Sequence, residues 1–128
     1  MGVPVIGYRT DEFPAFYTRQ SGYKVNYRLD SPEEIAEAMK VKRELGLNGG
    51  MIIANPVPEE FSMDKKIIDE AIEASLIKAD ENNIKGKDVT PFLLSEINNI
   101  TGGTSLESNI RLVMNNAKLA AEIIVRSV

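Results

Sequence analysis

Apolar positions along this chain fall into two spacings, short clustered runs closed by turn residues and longer runs repeating every three or four residues. The first kind predicts strands and the second helices. Residues 3–8 form a mostly apolar run of buried-strand type. Residues 24–29 alternate, with Val25, Tyr27 and Leu29 on one face, and residues 51–54 make a third run, entered through Gly49-Gly50 and left at Asn55-Pro56. Between the first two runs, residues 9–21 read as a loop carrying Phe13-Pro14-Ala15-Phe16-Tyr17. Helix signals are stronger. Ser31-Pro32-Glu33-Glu34 is a capping box with proline at the first helical position, followed by Ile35, Ala38, Met39, Lys42 and Leu45 before Gly46 offers a left-handed stop. A second helix is expected over 64–82, with Ile67, Ile68, Ala71, Ile72, Leu76 and Ala79 at helical spacing. Thr90-Pro91 is read as the cap of a third, through Phe92, Leu93, Leu94, Ile97 and Ile100, and Gly102-Gly103 breaks the chain. Thr104-Ser105-Leu106-Glu107 reads as another capping box, opening a long helix whose apolar line is Leu106, Ile110, Val113, Ala117, Ala120 and Ile124.

The helix between the second and third runs makes a βαβ unit, which implies a parallel strand pair. The expected class is α/β, a partial, mostly parallel sheet with covering helices. Three strands are few for four helices, and parallel sheets are normally wider and covered on both faces. The chain is therefore expected to be a fragment of a larger α/β/α fold, its sheet continuing into sequence upstream of residue 1.

Composition narrows the chemistry. With 15 basic against 19 acidic residues, a net charge of -4 and no basic run, nucleic acid is not an expected partner. Cysteine and histidine are both absent, which excludes disulfides, thiolate chemistry, a histidine-based triad and a His or Cys zinc site. Any metal must rest on oxygen ligands. The N-terminus lacks the apolar core of a signal peptide and no apolar run approaches the ~20 residues that span a bilayer, so a soluble, cytoplasmic chain with no membrane partner is expected.

One ordered series of motifs carries more. It comprises Gly2-Val3-Pro4-Val5-Ile6-Gly7-Tyr8, Phe13-Pro14-Ala15-Phe16-Tyr17, Arg28-Leu29-Asp30-Ser31, Gly46-Leu47-Asn48-Gly49-Gly50 and Ala54-Asn55-Pro56-Val57-Pro58-Glu59. It continues with Gly86-Lys87, Thr90-Pro91-Phe92-Leu93-Leu94, Thr101-Gly102-Gly103, Ser105-Leu106, Asn109-Ile110 and Asn115-Asn116-Ala117. At these spacings the series resembles the C-terminal part of the pseudouridine-5'-phosphate glycosidases, also labelled indigoidine synthase A-like, over essentially all 128 residues. The resemblance implies a homotrimeric α/β enzyme using a divalent metal, typically Mn2+, classed as a lyase or C-glycosidase. Its reaction is the reversible cleavage of pseudouridine 5'-phosphate to uracil and ribose 5-phosphate. Because the bond is carbon-carbon, there is no glycosidic oxygen to protonate, and the two-carboxylate route does not transfer. In the family a lysine amine attacks the anomeric carbon and an acid protonates the uracil carbon.

The family's nucleophilic lysine lies just before the segment matching Gly2-Val3-Pro4, and its acid glutamate and metal-site aspartate lie further upstream. No catalytic or metal role is therefore assigned within this chain, and Lys24, Lys65 and Lys118 read as solvated charge. The missing N-terminal half is the expected partner. The residue carried over is Asn109, matching a family asparagine that contacts substrate; its carboxamide suits the donor and acceptor edge of uracil. Asn109 and Asn116 share a helical line beside the apolar stripe, which predicts two partly buried amides. Asn55, beyond the third strand, is read first as a turn residue and second as a ligand contact. Gly102-Gly103-Thr104-Ser105 is read first as a helix start and second as a phosphate site. Phe13, Phe16 and Tyr17 suit core or subunit packing, and Glu33-Glu34 and Glu59-Glu60 suit helix starts, where carboxylates meet the dipole. Alternatives to the enzyme reading are a non-catalytic module that binds a nucleobase or sugar phosphate or serves assembly, and a role near pigment biosynthesis.

Overall fold

The computed structural model describes residues 2–128. Three strands, β1 (Val5–Tyr8), β2 (Tyr27–Leu29) and β3 (Ile52–Ala54), form one sheet in the order β2-β1-β3, parallel throughout. The strands are shorter than the apolar runs that predict them. Lys24 instead forms an isolated antiparallel bridge with Glu12, inside the loop that joins β1 to β2. Helix α1 (Pro32–Glu44) connects β2 to β3, so its crossover passes over β1 rather than joining neighbours. The central place goes to β1, the strand with the most buried apolar backbone, Ile6 and Gly7.

Gly7 is dictated by the loop above it. A Cβ there would sit 2.3 Å from the Thr10 carbonyl oxygen and 3.0 Å from methyls of both Thr10 and Val25. The 9–26 loop thus lies directly on one sheet face, fastened by Phe13 N–H to the Tyr23 carbonyl and Val25 N–H to that of Asp11. The opposite face carries Ile6, Tyr8, Leu29 and Ile53 and is covered by helices α1 and α4 (Thr104–Ser127). Ile35 and Ala36 of α1 and Leu119 and Ile123 of α4 are the buried centre of this packing. A second core joins α2 (Lys65–Glu81) to α3 (Val89–Ile100) through Ile68 and Ile97, with Tyr17 from the loop wedged between them. Burial there raises the Tyr17 phenol pKa by disfavouring the phenolate. Phe16 meets its ring edge-on at 4.7 Å. Of the aromatic loop, Tyr17 takes the core-packing role, while Phe13 and Phe16 stay exposed.

One cap forms as expected. Ser31 accepts from Glu34 N–H while the Glu34 carboxylate accepts from Ser31 N–H, completing the capping box of α1. Asp64 caps α2 by accepting from Lys66 and Ile67 N–H. Two expected caps are corrected. Helix α3 begins at Val89, continuing a 3₁₀ turn at Gly86–Asp88, so Thr90 lies inside it. Helix α4 has Gly103 at its N-cap, at φ 90°, and Thr104 makes no capping bond. Glu59 and Glu60 start a single 3₁₀ turn, Glu59–Phe61.

The largest correction concerns α4. Its inner side is Ser105, Ser108, Leu112, Leu119 and Ile123, whereas the apolar line read from the sequence is turned outward. Ile67 and Leu76 of α2 and Leu45 after α1 are likewise exposed. Helical periodicity identifies apolar residues, and α4 has enough of them for two sides.

Candidate functional site

Open parallel sheets present ligands beyond the carboxyl ends of their strands. At that end the chain leaving β3, residues 55–61, is held by side chains from both sides. Asn55 donates to the Asn116 carboxamide oxygen at 3.1 Å, and Asn115 donates to the Pro56 carbonyl at 3.2 Å. The Arg19 guanidinium donates to the Val57 carbonyl at 2.9 Å from the 9–26 loop. The Ser108 hydroxyl donates to the Phe61 carbonyl at 2.7 Å. Val57 in the middle is fully buried, and the Arg111 guanidinium stacks over the Phe61 ring at 4.7 Å. Each carbonyl caught this way is one that no strand partner satisfies. Asn115 and Ser108 are tethers that sequence reasoning missed; the available signal was asparagine and serine inside a helix that gains nothing from them locally.

Asn109 lies on α4 between these tethers, one residue after Ser108 and two turns before Asn116. Its side chain is half-buried and, among the described residues, makes no hydrogen bond. A carboxamide on a rigid helix with its donor and acceptor both free is suited to a planar heterocycle edge. Asn116, expected to be partly buried, is exposed and engaged by Asn55. Asn55 is therefore a bonded turn residue in this structure.

The start of α4 is internally satisfied. Thr101 Oγ1 accepts from Ser105 N–H at 3.2 Å, the Thr101 carbonyl from Thr104 N–H at 3.3 Å, and Gly103 N–H closes back on Asn98. The Gly102-Gly103 pair, at φ 61° and 90°, is a helix-to-helix turn, and the helix-start reading is the one the geometry carries.

Two concavities flank this end and the opposite one. A polar cleft of about 660 Å³, lined by Arg9, Thr10, Arg19, Arg28 and Asp64, opens at the carboxyl ends of β1 and β2. Its Arg28 is tied to Asp11 at 2.6 Å and Asp30 at 2.8 Å, and these carboxylates raise its pKa. An apolar groove of about 650 Å³, lined by Pro4, Val41, Leu45, Leu47 and Met51, lies at the amino ends of the strands, away from Asn109. Strand polarity favours the former end as the ligand side. Among the described residues no three Asp, Glu, His or Cys side chains gather as a metal site, and no helix is long and apolar enough to cross a membrane. Lys24 and Lys118 are exposed, and Lys65 pairs with Asp69.

Comparison with known proteins decides the relationship. A family model described as indigoidine synthase A like protein matches residues 1–126. The chain belongs to the indigoidine synthase A-like family. A relative from Hahella chejuensis, named pseudouridine-5'-phosphate glycosidase, is 56% identical over 122 residues, which are 95% of this chain and 40% of that protein. An indigoidine synthase A-like protein from Thermotoga maritima superposes with TM-score 0.81 at 37% identity, over 94% of this chain and 39% of that structure. The prealnumycin C-glycosynthase AlnA, solved in complex with ribulose 5-phosphate, does so with TM-score 0.82 at 27% identity, over 98% and 41%. The expected α/β class and family are thus both met, and the chain spans about 40% of the length of the relatives it matches.

Proposed function

We propose that this chain forms the C-terminal wall of a pseudouridine-5'-phosphate glycosidase site, acting in the cytoplasm on pseudouridine 5'-phosphate, uracil and ribose 5-phosphate. The observation that carries the reading is 56% identity across 95% of the chain to a protein of that name. The free carboxamide of Asn109, held on α4 beside the tethered 55–61 segment, is the substrate contact. In the reaction a lysine amine bonds to the anomeric carbon, the carbon-carbon bond to uracil breaks as an acid protonates the uracil carbon, and water hydrolyses the imine-type sugar-lysine adduct to release ribose 5-phosphate and the free amine. Lysine and acid belong to the part of the family chain that this sequence does not span. Mn2+ is assigned to that part as well, as the family resemblance implies. The working assembly is a homotrimer of the combined parts.

The test combines this chain with the remaining part of the Hahella chejuensis relative by co-expression, then adds Mn2+, uracil and ribose 5-phosphate. Pseudouridine 5'-phosphate is expected from the combination and not from the 128-residue chain alone. Asn109→Ala is expected to lower kcat/KM by about tenfold, the equivalent of one lost hydrogen bond of ~1.4 kcal/mol. A well-folded combination without product, or an Asn109→Ala variant with unchanged kcat/KM, refutes the assignment.

A further inference from the structure

A pocket of about 370 Å³ lies at the carboxyl end of β1, between α4 and the start of α1. Arg9, Lys118 and Arg126 line it against one acid, Glu122, in a chain whose net charge is -4. The local sign is thus opposite to that of the molecule. Arg126 is already engaged: it pairs with Glu33 and donates through Nη1 to the Glu122 carbonyl at 2.8 Å. Arg9 and Lys118 have no ion-pair partner among the described residues. Lys118, read from the sequence as solvated charge, therefore lines a concavity that it shares with a second uncommitted cation.

Arg9 is fixed before any ligand arrives. Its φ of 53° is a left-handed conformation that residues other than glycine adopt only under constraint. Three contacts supply that constraint. The Arg9 N–H donates to the Leu29 carbonyl at 3.0 Å, its Nε donates to the Asp30 carbonyl at 2.9 Å, and its guanidinium lies over the Tyr8 ring at 5.1 Å. With Nε committed, the two terminal nitrogens remain as donors on a group that has little freedom left to lose. Such an edge suits phosphate oxygens. Asn115 gives an amide N–H to the Pro56 carbonyl at 3.2 Å, which leaves its carboxamide oxygen as an acceptor on the lining. That oxygen and the Glu122 carboxylate disfavour a bare anion and accept from hydroxyl groups.

We infer that this pocket binds a small polyol through its phosphate monoester, the phosphate on Arg9 and Lys118 and the hydroxyls on Asn115 and Glu122. Its volume is at the small end of ligand pockets, which fits a ligand of that size. The site is separate from Asn109. Lys118 follows Asn109 by about two and a half helical turns, which puts it on the opposite side of α4 and ~14 Å further along. The proposed reaction neither uses this pocket nor depends on it.

Amide NMR of the 128-residue chain, titrated with ribose 5-phosphate, inorganic phosphate and ribose, tests the inference. Ribose 5-phosphate is expected to shift Tyr8, Arg9, Asn115 and Lys118, inorganic phosphate to shift the same residues more weakly, and ribose to shift none. Lys118→Gln is expected to weaken ribose 5-phosphate binding by about tenfold, the loss of one charge-assisted hydrogen bond. Lys66→Gln, at an exposed lysine of α2, is expected to leave it unchanged. Arg9→Gln also removes the bond to Asp30, so Lys118→Gln on the helix surface is the deciding variant. Unaltered affinity in Lys118→Gln, shifts centred on Asn109 instead of Arg9 and Lys118, or no binding overturns the site. Equal affinity for inorganic phosphate overturns the monoester and makes free phosphate the ligand. Product from the co-expressed combination alongside an empty pocket refutes this inference and leaves the proposed reaction standing.

Discussion

Gly7→Ala perturbs the contact that lays the 9–26 loop on the sheet. The added methyl is placed 2.3 Å from the Thr10 carbonyl oxygen, more than an ångström inside the 3.4 Å at which ordinary contact begins. That oxygen belongs to the backbone and cannot rotate away. Thr10 is itself buried, with its hydroxyl donating to the Glu12 carbonyl at 3.0 Å, so the loop has to lift as a unit. Overpacking of this kind costs ~1–3 kcal/mol. The stiffer unfolded chain of an alanine variant returns ~0.4–1 kcal/mol. The expected net loss is ~1–2 kcal/mol, a fall in Tm of roughly 3–8 °C for a chain of this size. Gly50→Ala is the matched control, because nothing lies within 4 Å of its added methyl and its φ is not positive. Urea unfolding followed by far-ultraviolet circular dichroism gives both midpoints. A Gly7→Ala midpoint equal to or above that of Gly50→Ala refutes the steric account and with it the seating of the loop.

Ser108→Ala removes the 2.7 Å bond to the Phe61 carbonyl from a side chain that is 1% exposed. A loss of ~1–2 kcal/mol is expected in urea unfolding, with faster hydrogen exchange in residues 55–61; unchanged exchange there contradicts the tethering role. Glu12 accepts from Ser21 N–H at 2.9 Å and Gly22 N–H at 3.1 Å, the latter bond first, and together they hold its carboxyl below the ordinary carboxylate range. A depressed folded value stabilises the loop at neutral pH, and that contribution is lost as the pH falls from the ordinary range of ~4.3 through the lower folded value. Protection of the Ser21 and Gly22 amides, taken relative to the intrinsic exchange rate at each pH, is expected to fall over that window in the wild type and to stay constant in Glu12→Gln; an identical change in protection in both excludes this linkage.

What the chain reveals before folding is mostly what neighbours decide. The capping box at Ser31 and Glu34 and the cap at Asp64 involve groups no more than three residues apart, so their outcome is written locally. The caps read at Thr90 and Thr104 fail for a nonlocal reason. A 3₁₀ turn at Gly86–Asp88 runs straight into α3, and Thr101 at the end of α3 supplies the oxygen that Ser105 N–H needs. The order of the strands was hidden for a similar reason. A βαβ pattern makes β2 and β3 parallel but does not say which strand lies between them, and β1 enters there because Ile6 and Gly7 are wanted under α1 and the 9–26 loop.

Helix α4 shows where apolar periodicity stops being a guide to burial. Ser105 and Ser108 are each 1% exposed while their neighbours Leu106 and Ile110 are half-exposed, the reverse of what transfer free energies alone require. The small residue at 108 lets the helix approach the 55–61 segment closely enough for its hydroxyl to reach the Phe61 carbonyl, and a leucine there would hold it off. With the inner side fixed by that approach, the apolar line that the sequence advertises has nowhere to go but outward. An uncovered stripe of this length is uncommon on a free-standing surface and ordinary on one made to be buried. The two asparagines at its border differ in their bonding: Asn116 is bonded to Asn55 and fastens the wall, whereas Asn109 makes no hydrogen bond among the described residues.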